Sequence, residues 1–134
     1  MLVVDRDLVS LQETEDRITR AGGSAKSLIV DIAVEEQVAK IAPACIEAFG
    51  FIDILHNNVG IGTGDGGVTS LDREAWERIF DVNVTGMHLT CKHVIPSMCA
   101  NGGDTCQINA RYTIRKQLLT NFFLTRQNSS VRCG

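Results

Sequence analysis

The stretch FIDILHNNVG, residues 51–60, decides how this chain is read. Phe51, Ile52, Ile54 and Leu55 form a nearly continuous apolar run, not an alternating one. Such a run fits a strand covered on both faces, as strands of parallel sheets are. It ends in His56, Asn57 and Asn58, and the glycine-rich loop GIGTGDGG (60–67) follows.

Working back from residue 51, Val34, Val38, Ile41, Cys45 and Phe49 step by four, three, four and four. That spacing predicts one face of a helix closed by Gly50, with a kink at Pro43. SLIVDI (27–32) predicts another buried strand. Leu8, Leu11 and Ile18 predict a helix from Asp7 that AGG (21–23) stops. MLVV (1–4) predicts a strand ending at Asp5. Working forward, Thr69 or Ser70 is expected to cap a short helix through Trp76 and Phe80. VNVTGMHLTCKHVIPSM (82–98) predicts a longer helix, stopped or bent at Pro96. CQI (106–108) predicts a short strand and IRKQLLTNFFL (114–124) a last helix. Alternation of strands and helices implies an α/β fold with a doubly wound parallel sheet and right-handed connections.

Composition sets limits. The chain has 134 residues, net charge −3, 44% hydrophobic and 5% aromatic residues, enough for one domain with a real core. No apolar run is long enough for a membrane helix, and MLVVDRD turns charged too early for a signal peptide. Five scattered cysteines with no C-x-x-C pair argue for free thiols and against a metal site. Residues 1–103 carry eight Lys/Arg and fifteen Asp/Glu (8 − 15 = −7), whereas 104–134 carry five and one (5 − 1 = +4). The step divides the chain into a regular unit, 1–103, and a divergent tail, 104–134. Spread charge with few aromatics is a poor nucleic-acid footprint, so no nucleic-acid or membrane partner is expected.

Asp5 ends a strand, where a carboxylate can hold an adenosine ribose and repel a 2′-phosphate. Arg6 beside it can do the reverse. Asp31 ends the second strand, where a carboxylate can reach an adenine amino group or cap the next helix. Asn83 is a poor helix former inside a predicted helical run, so a compensating role is expected.

VVDRD near the start, AGG before a strand ending in VDI (30–32), FGFIDILHNNVG (49–60) and WERIFDVNVTG (76–86) come in one order and spacing. Together they resemble the short-chain dehydrogenase/reductase family over residues 1–103. The resemblance implies a partial Rossmann-type doubly wound parallel sheet, matching the family's second to fifth strands, with an irregular C-terminal tail. It implies hydride transfer between a nicotinamide cofactor and a small alcohol or carbonyl substrate. Asp5, Asp31 with Ile32, Asn57, Asn58 and Gly60 would bind the cofactor, NAD before NADP, and no metal is implied. Asn83 matches the family's catalytic-site asparagine, which bends its helix and holds a water of the proton relay.

The sequence also departs from the family. The glycine turn that cradles pyrophosphate should precede a strand matching MLVV, and GIGTG (60–64) stands in the wrong context for it. The family's first strand is central, so the second would pair directly with the fourth or leave ladder groups unpaired. Either predicts poor stability of the chain alone. Counting on from Asn83, the serine falls near Asn109–Arg111, the tyrosine near Phe122–Leu124 and the lysine near Arg126–Asn128, and none is there. Tyr112 and Lys116 in RYTIRK (111–116) keep the Y-x-x-x-K spacing but come too early. They remain secondary catalytic candidates beside Asn83. The expectation is therefore an incomplete, inactive oxidoreductase. The alternative is a non-catalytic fragment that pairs with itself or with full-length relatives through the helix beginning near Asn83. A Rossmann-like methyltransferase shares the acid after the second strand but explains neither NNVG nor VNVTG. A cytoplasmic setting is expected, with an organelle left open.

Overall fold

A computed structural model of the chain describes residues 1–62, 69–100 and 105–108. The elements are β1 (Leu2–Asp5), α1 (Leu8–Arg20), β2 (Lys26–Ile29), α2 (Glu35–Val38), α3 (Ile41–Phe49), β3 (Ile54–Asn57), α4 (Arg73–Phe80), a π-helical turn (Asp81–Thr85), α5 (Gly86–Ala100) and β4 (Thr105–Ile108). The α/β alternation expected from the apolar pattern is present. All strand pairing is parallel.

The sheet is nevertheless not continuous. β1 pairs with β2 from Leu2↔Lys26 to Asp5↔Ile29, and β3 pairs with β4 from Ile54↔Thr105 to Asn57↔Ile108. Among the described residues, neither two-stranded ribbon pairs with the other. Of the two arrangements the sequence left open, the separated one is realised. The strands are accordingly half-buried, not wholly covered, with Ile29 54% and Ile54 62% exposed.

Local chemistry explains the helix ends. Asp7 caps α1, its carboxylate accepting the Ser10 N–H at 2.7 Å. That bond holds the Asp7 carboxyl below its ordinary pKa. Gly22, at φ +81°, ends α1 as the AGG stop predicted. The helix expected over 34–49 is in fact two, broken at Ala39–Lys40. Pro43 falls in the first turn of α3, where a missing N–H leaves no intrahelical bond unmade. α4 is capped by Asp72, whose carboxylate accepts the Ala75 N–H at 2.7 Å, not by Thr69 or Ser70. Pro96 does not stop α5, which runs on to Ala100. Cys45 and Cys91 are free thiols, but Cys99 is disulfide-bonded. The expectation of five free thiols fails because linear spacing does not report which sulfurs fold to bonding distance.

The core comprises Val30, Ile32, Val38, Ile41, Ala42, Ile52, Val82, Leu89, Val94 and Met98. α3 packs on β1, β2 and α5, and α5 packs on β3. The helices thus bridge the two ribbons. Glu35 of α2 adds a surface tie to α5, accepting from Lys92 Nζ at 2.7 Å and meeting His93 Nε2 at 2.8 Å. The Lys92 bond first, then His93, holds the Glu35 carboxyl below its ordinary pKa.

Candidate functional site

A cleft of about 950 Å³ opens between the ribbons. Its walls include all of β1 and all of β3, with Val30, Ile41, Ile52, Val82 and Val94 from the core. Asp5, Asp31, Ile32, Asn57, Asn58 and Gly60 line it together. The six residues expected at a cofactor therefore share one site, although they come from three separate strand ends.

Each is fixed by its local turn. One oxygen of the Asp5 carboxylate accepts the Asp7 N–H at 3.0 Å. Asp31 does the same for the Ala33 N–H at 3.0 Å, while its own N–H donates to Gln37 Oε1 at 2.8 Å. Asp31 is therefore an Asx-turn residue, not the cap of α2, whose N-cap is Val34. These bonds orient both carboxylates at the cleft without burying them.

Asn57 and Asn58 are not a buried pair. Asn57 is half-buried and Asn58 exposed. The Asn57 side chain accepts from Thr90 Oγ1 at 2.6 Å and donates to Cys91 Sγ at 3.5 Å. Thr90 is 5% exposed and also reaches the Met87 carbonyl at 2.8 Å, so its single proton is shared between two acceptors. Sequence reasoning missed Thr90, Cys91 and Gln37. A signal existed for Thr90: it stands seven residues after Asn83, on the same helical stripe.

Asn83 sits inside the π-helical turn Asp81–Thr85, which joins α4 to α5 without a gap. The expected helix distortion is present, and single π turns concentrate at functional positions. Its side chain accepts the Ile61 N–H at 2.8 Å and donates to the Ile61 carbonyl at 2.9 Å. Asn83 does not line the cleft, but Ile61 does. Its amide thus closes a two-bond clamp on the segment that carries Asn57 to Gly60. Tyr112 and Lys116 lie outside the described residues, as does the helix expected over 114–124.

The arrangement suits one part of a dinucleotide better than the other. Carboxylates at the ends of β1 and of the β2 strand line meet the needs of ribose hydroxyls and an adenine amino group. A pyrophosphate needs free N–H groups at a helix N-terminus. The N-terminus of α1, next to β1, is already occupied by the Asp7 carboxylate. The residues described fit the adenosine half of such a cofactor. Among them no cluster of His, Cys, Asp and Glu could hold a metal ion, and no helix is long and apolar enough to cross a membrane.

Known proteins resemble the chain in sequence and fold. The uncharacterized oxidoreductase YxbG of Bacillus subtilis (strain 168) is 35% identical over 104 residues, which is 78% of this chain and 38% of that protein. A short chain dehydrogenase/reductase of Burkholderia phymatum, solved in complex with NAD, matches at 31% identity and a TM-score of 0.68, over 75% of this chain and 35% of that one. A metagenomic short-chain oxidoreductase solved in complex with NADP matches at 29% identity and a TM-score of 0.66, over 75% and 45%. The chain thus spans less than half the length of each of these relatives. The sequence profile described as short chain dehydrogenase matches residues 1–116. Together with a four-strand parallel α/β fold and a π turn at Asn83, that match makes the chain a member of the short-chain dehydrogenase/reductase family.

Proposed function

We propose that this chain binds the adenosine half of a nicotinamide dinucleotide, NAD before NADP, in the cleft between β1 and β3. The observation that carries the reading is that Asp5, Asp31, Ile32, Asn57, Asn58 and Gly60 line one cleft. Asp5 would hold the ribose hydroxyls and disfavour a 2′-phosphate by charge. Asp31 would receive the adenine amino group beside Ile32. Asn57, held by Thr90, and the backbone through Gly60 would form the floor under the adenosine. When bound, the cofactor supplies a hydride for exchange with the carbon of a small alcohol or carbonyl compound. Asn83 serves as a positioning residue, because its clamp on Ile61 keeps the floor in place.

Turnover by the chain alone is not part of the proposal. A tyrosine needs a neighbouring cation to lower its pKa and an oxyanion donor beside the substrate. Tyr112 and Lys116 keep only the spacing of such a pair. Titration of the full chain with NADH, NADPH and adenosine diphosphate, followed by nicotinamide fluorescence and calorimetry, tests the reading. NADH is expected to bind more tightly than NADPH, with Asp5→Asn narrowing the gap. Equal affinity in both wild type and Asp5→Asn would remove Asp5 from the site.

A second reading rests on a separate observation. Trp76, Phe80 and Val84 are 52%, 44% and 47% exposed at a spacing of four residues. The Trp76 and Phe80 rings stack at 4.5 Å between centroids. An apolar stripe of this kind suits association with a second copy or with a full-length relative. Sedimentation of the chain alone and with a full-length relative tests it. Loss of any complex in Trp76→Ser supports the stripe, and persistence of the complex refutes it.

A further inference from the structure

The Asp31 carboxylate is held in place by more than its own turn. Val30 and Ile32 on either side of it are buried in the core. Its carbonyl accepts the Val34 N–H at 3.0 Å, and one carboxylate oxygen accepts the Ala33 N–H at 3.0 Å. Both bonds are local, of the kind an aspartate makes wherever a strand gives way to a turn. The third bond comes from outside the turn. Past the paired residues of β1 and β2, the Val30 N–H still reaches the Asp5 carbonyl at 3.0 Å, and the Asp31 N–H lies one residue further on. It donates to Gln37 Oε1 at 2.8 Å. A side chain thus takes the place of a ladder acceptor for a backbone group that needs one. Among the described residues the second carboxylate oxygen of Asp31 has no hydrogen bond, and Asp31 lines the cleft.

The acceptor is itself anchored. Gln37 belongs to α2, whose Val38 is fully buried in the core and whose Glu35 meets Lys92 Nζ and His93 Nε2 of α5. Gln37 Oε1 is therefore carried on a turn fixed from two sides, and its bond passes that fixity to Asp31. We propose that Gln37 is a positioning residue that makes the cleft selective for an adenine base. Holding the Asp31 N–H fixes the backbone there, and with it the direction of the free carboxylate oxygen. A purine that carries an exocyclic amino group then meets a fixed acceptor, and a purine without that group gains nothing from it. Without Gln37 Oε1 the carboxylate is no longer held in one direction, and the preference fades. Asp5 is unaffected, since its carboxylate is held separately by the Asp7 N–H. The inference rests on the adenosine reading of the cleft and adds to it the residue that enforces the choice of base.

The test uses the full chain and two ligands, NADH and its purine analogue with hydrogen in place of the adenine amino group. Affinities are read by nicotinamide fluorescence in the wild type, Gln37→Met and Gln37→Glu, each well below its Tm. Methionine keeps the length of glutamine without an oxygen acceptor, and glutamate restores one. The wild type is expected to prefer NADH roughly tenfold, the effect of one hydrogen bond to a charged acceptor. Gln37→Met should erase that preference while keeping the wild-type preference for NADH over NADPH, which belongs to Asp5. Gln37→Glu should restore most of it. A glutamine with only a structural role would lower Tm, or weaken both ligands equally, and leave the ratio intact, and that result overturns the proposal. Loss of the preference in Gln37→Glu as complete as in Gln37→Met overturns it too. Should a variant fail to fold, amide exchange in the wild type decides. Slower exchange of the Asp31 N–H with NADH than with the analogue supports the proposal, and an unprotected Asp31 N–H overturns it. A wild type that binds neither ligand, or both equally, fails before any variant is read and takes the adenosine reading down with the inference.

Discussion

Replacing Asn83 by alanine isolates the clamp that holds the cleft floor. The wild-type side chain makes two hydrogen bonds to one residue, at 2.8 Å to the Ile61 N–H and 2.9 Å to its carbonyl. Each such bond contributes about 0.5–1.5 kcal/mol net, so the pair contributes about 1–3 kcal/mol. Ile61 is only half-buried, so water replaces the lost partner and the larger cost of a sealed, unsatisfied group does not arise. Alanine regains up to about 0.7 kcal/mol of helix propensity. The net loss is then about 0.3–2.3 kcal/mol, centred near 1 kcal/mol, or a fall in Tm of roughly 4 °C for a chain of this size. Asn83→Leu keeps the volume while removing both bonds, and should fall about as far. Thermal melts measure the loss, and exchange at the Ile61 amide localises it. A Tm within about 1 °C of wild type, with Ile61 exchange unchanged, would falsify the clamp. In the same variant NADH affinity should drop, because Asn57 to Gly60 lose their anchor.

Gly86→Ala should destabilise by about 1–3 kcal/mol, since the new Cβ would stand 2.7 Å from Ile32 Cδ1 and 2.8 Å from its Cγ1. Ile32→Val in that background removes the nearer atom, so denaturant melts of the double mutant should show partial rescue. Asp72→Ala removes the cap on Ala75 N–H and should cost about 1 kcal/mol by the same melts. The Glu35 carboxyl titrates below its ordinary value in the folded chain, so its stabilising effect is fully present above the ordinary glutamate range. It is lost as pH falls through the lowered value. Glu35→Gln should flatten the pH dependence of Tm on that acid side, as thermal melts across acidic pH would show.

Much of this was legible before any coordinates. The run from Phe51 to Gly60 announces a parallel strand, and Asp5, Asp31 and Asn57 announce polar strand ends that meet in space. Even CQI, an isolated tripeptide, marks β4. What escaped was whatever depends on contacts across the fold. The interruption at Ala39–Lys40 lies four residues before Pro43, whose missing N–H and ring exclude a bond to the Ala39 carbonyl, so the proline acts a turn upstream of where it stands. Thr69 and Ser70 are good capping residues, yet Asp72 is nearer the helix and prevails. Asn57 is held by side chains more than thirty positions away in the sequence, which no local pattern reveals. A disulfide at Cys99 has no linear signature at all.

The split sheet has a physical logic that ties these points together. Two ribbons that do not pair with each other need something to fix their spacing. Here α3 touches both strands of one ribbon and also α5, and α5 rests on β3 of the other. Val38, Ile41 and Ala42 pack with Leu89, Val94 and Met98 in that bridge. The spacing of β1 and β3 is therefore set by helix packing and not by strand pairing. The strand edges face an open cleft, so the arrangement forgoes buried apolar contact without sealing away unpaired backbone groups. It follows that the mouth and the depth of the cleft respond to different changes. The Asn83 clamp acts on Ile61 alone and should loosen only the mouth. Gly86 lies where α5 presses on Ile32, so a methyl group there pushes the bridge against the end of the β2 strand line and should disturb both. If the ribbons were instead held by their own pairing, the two substitutions would be indistinguishable at β1 and β3. Exchange in those strands separates the cases, with Gly86→Ala accelerating it along both β1 and β3 and Asn83→Ala acting chiefly at the Asn57 end of β3 and beyond.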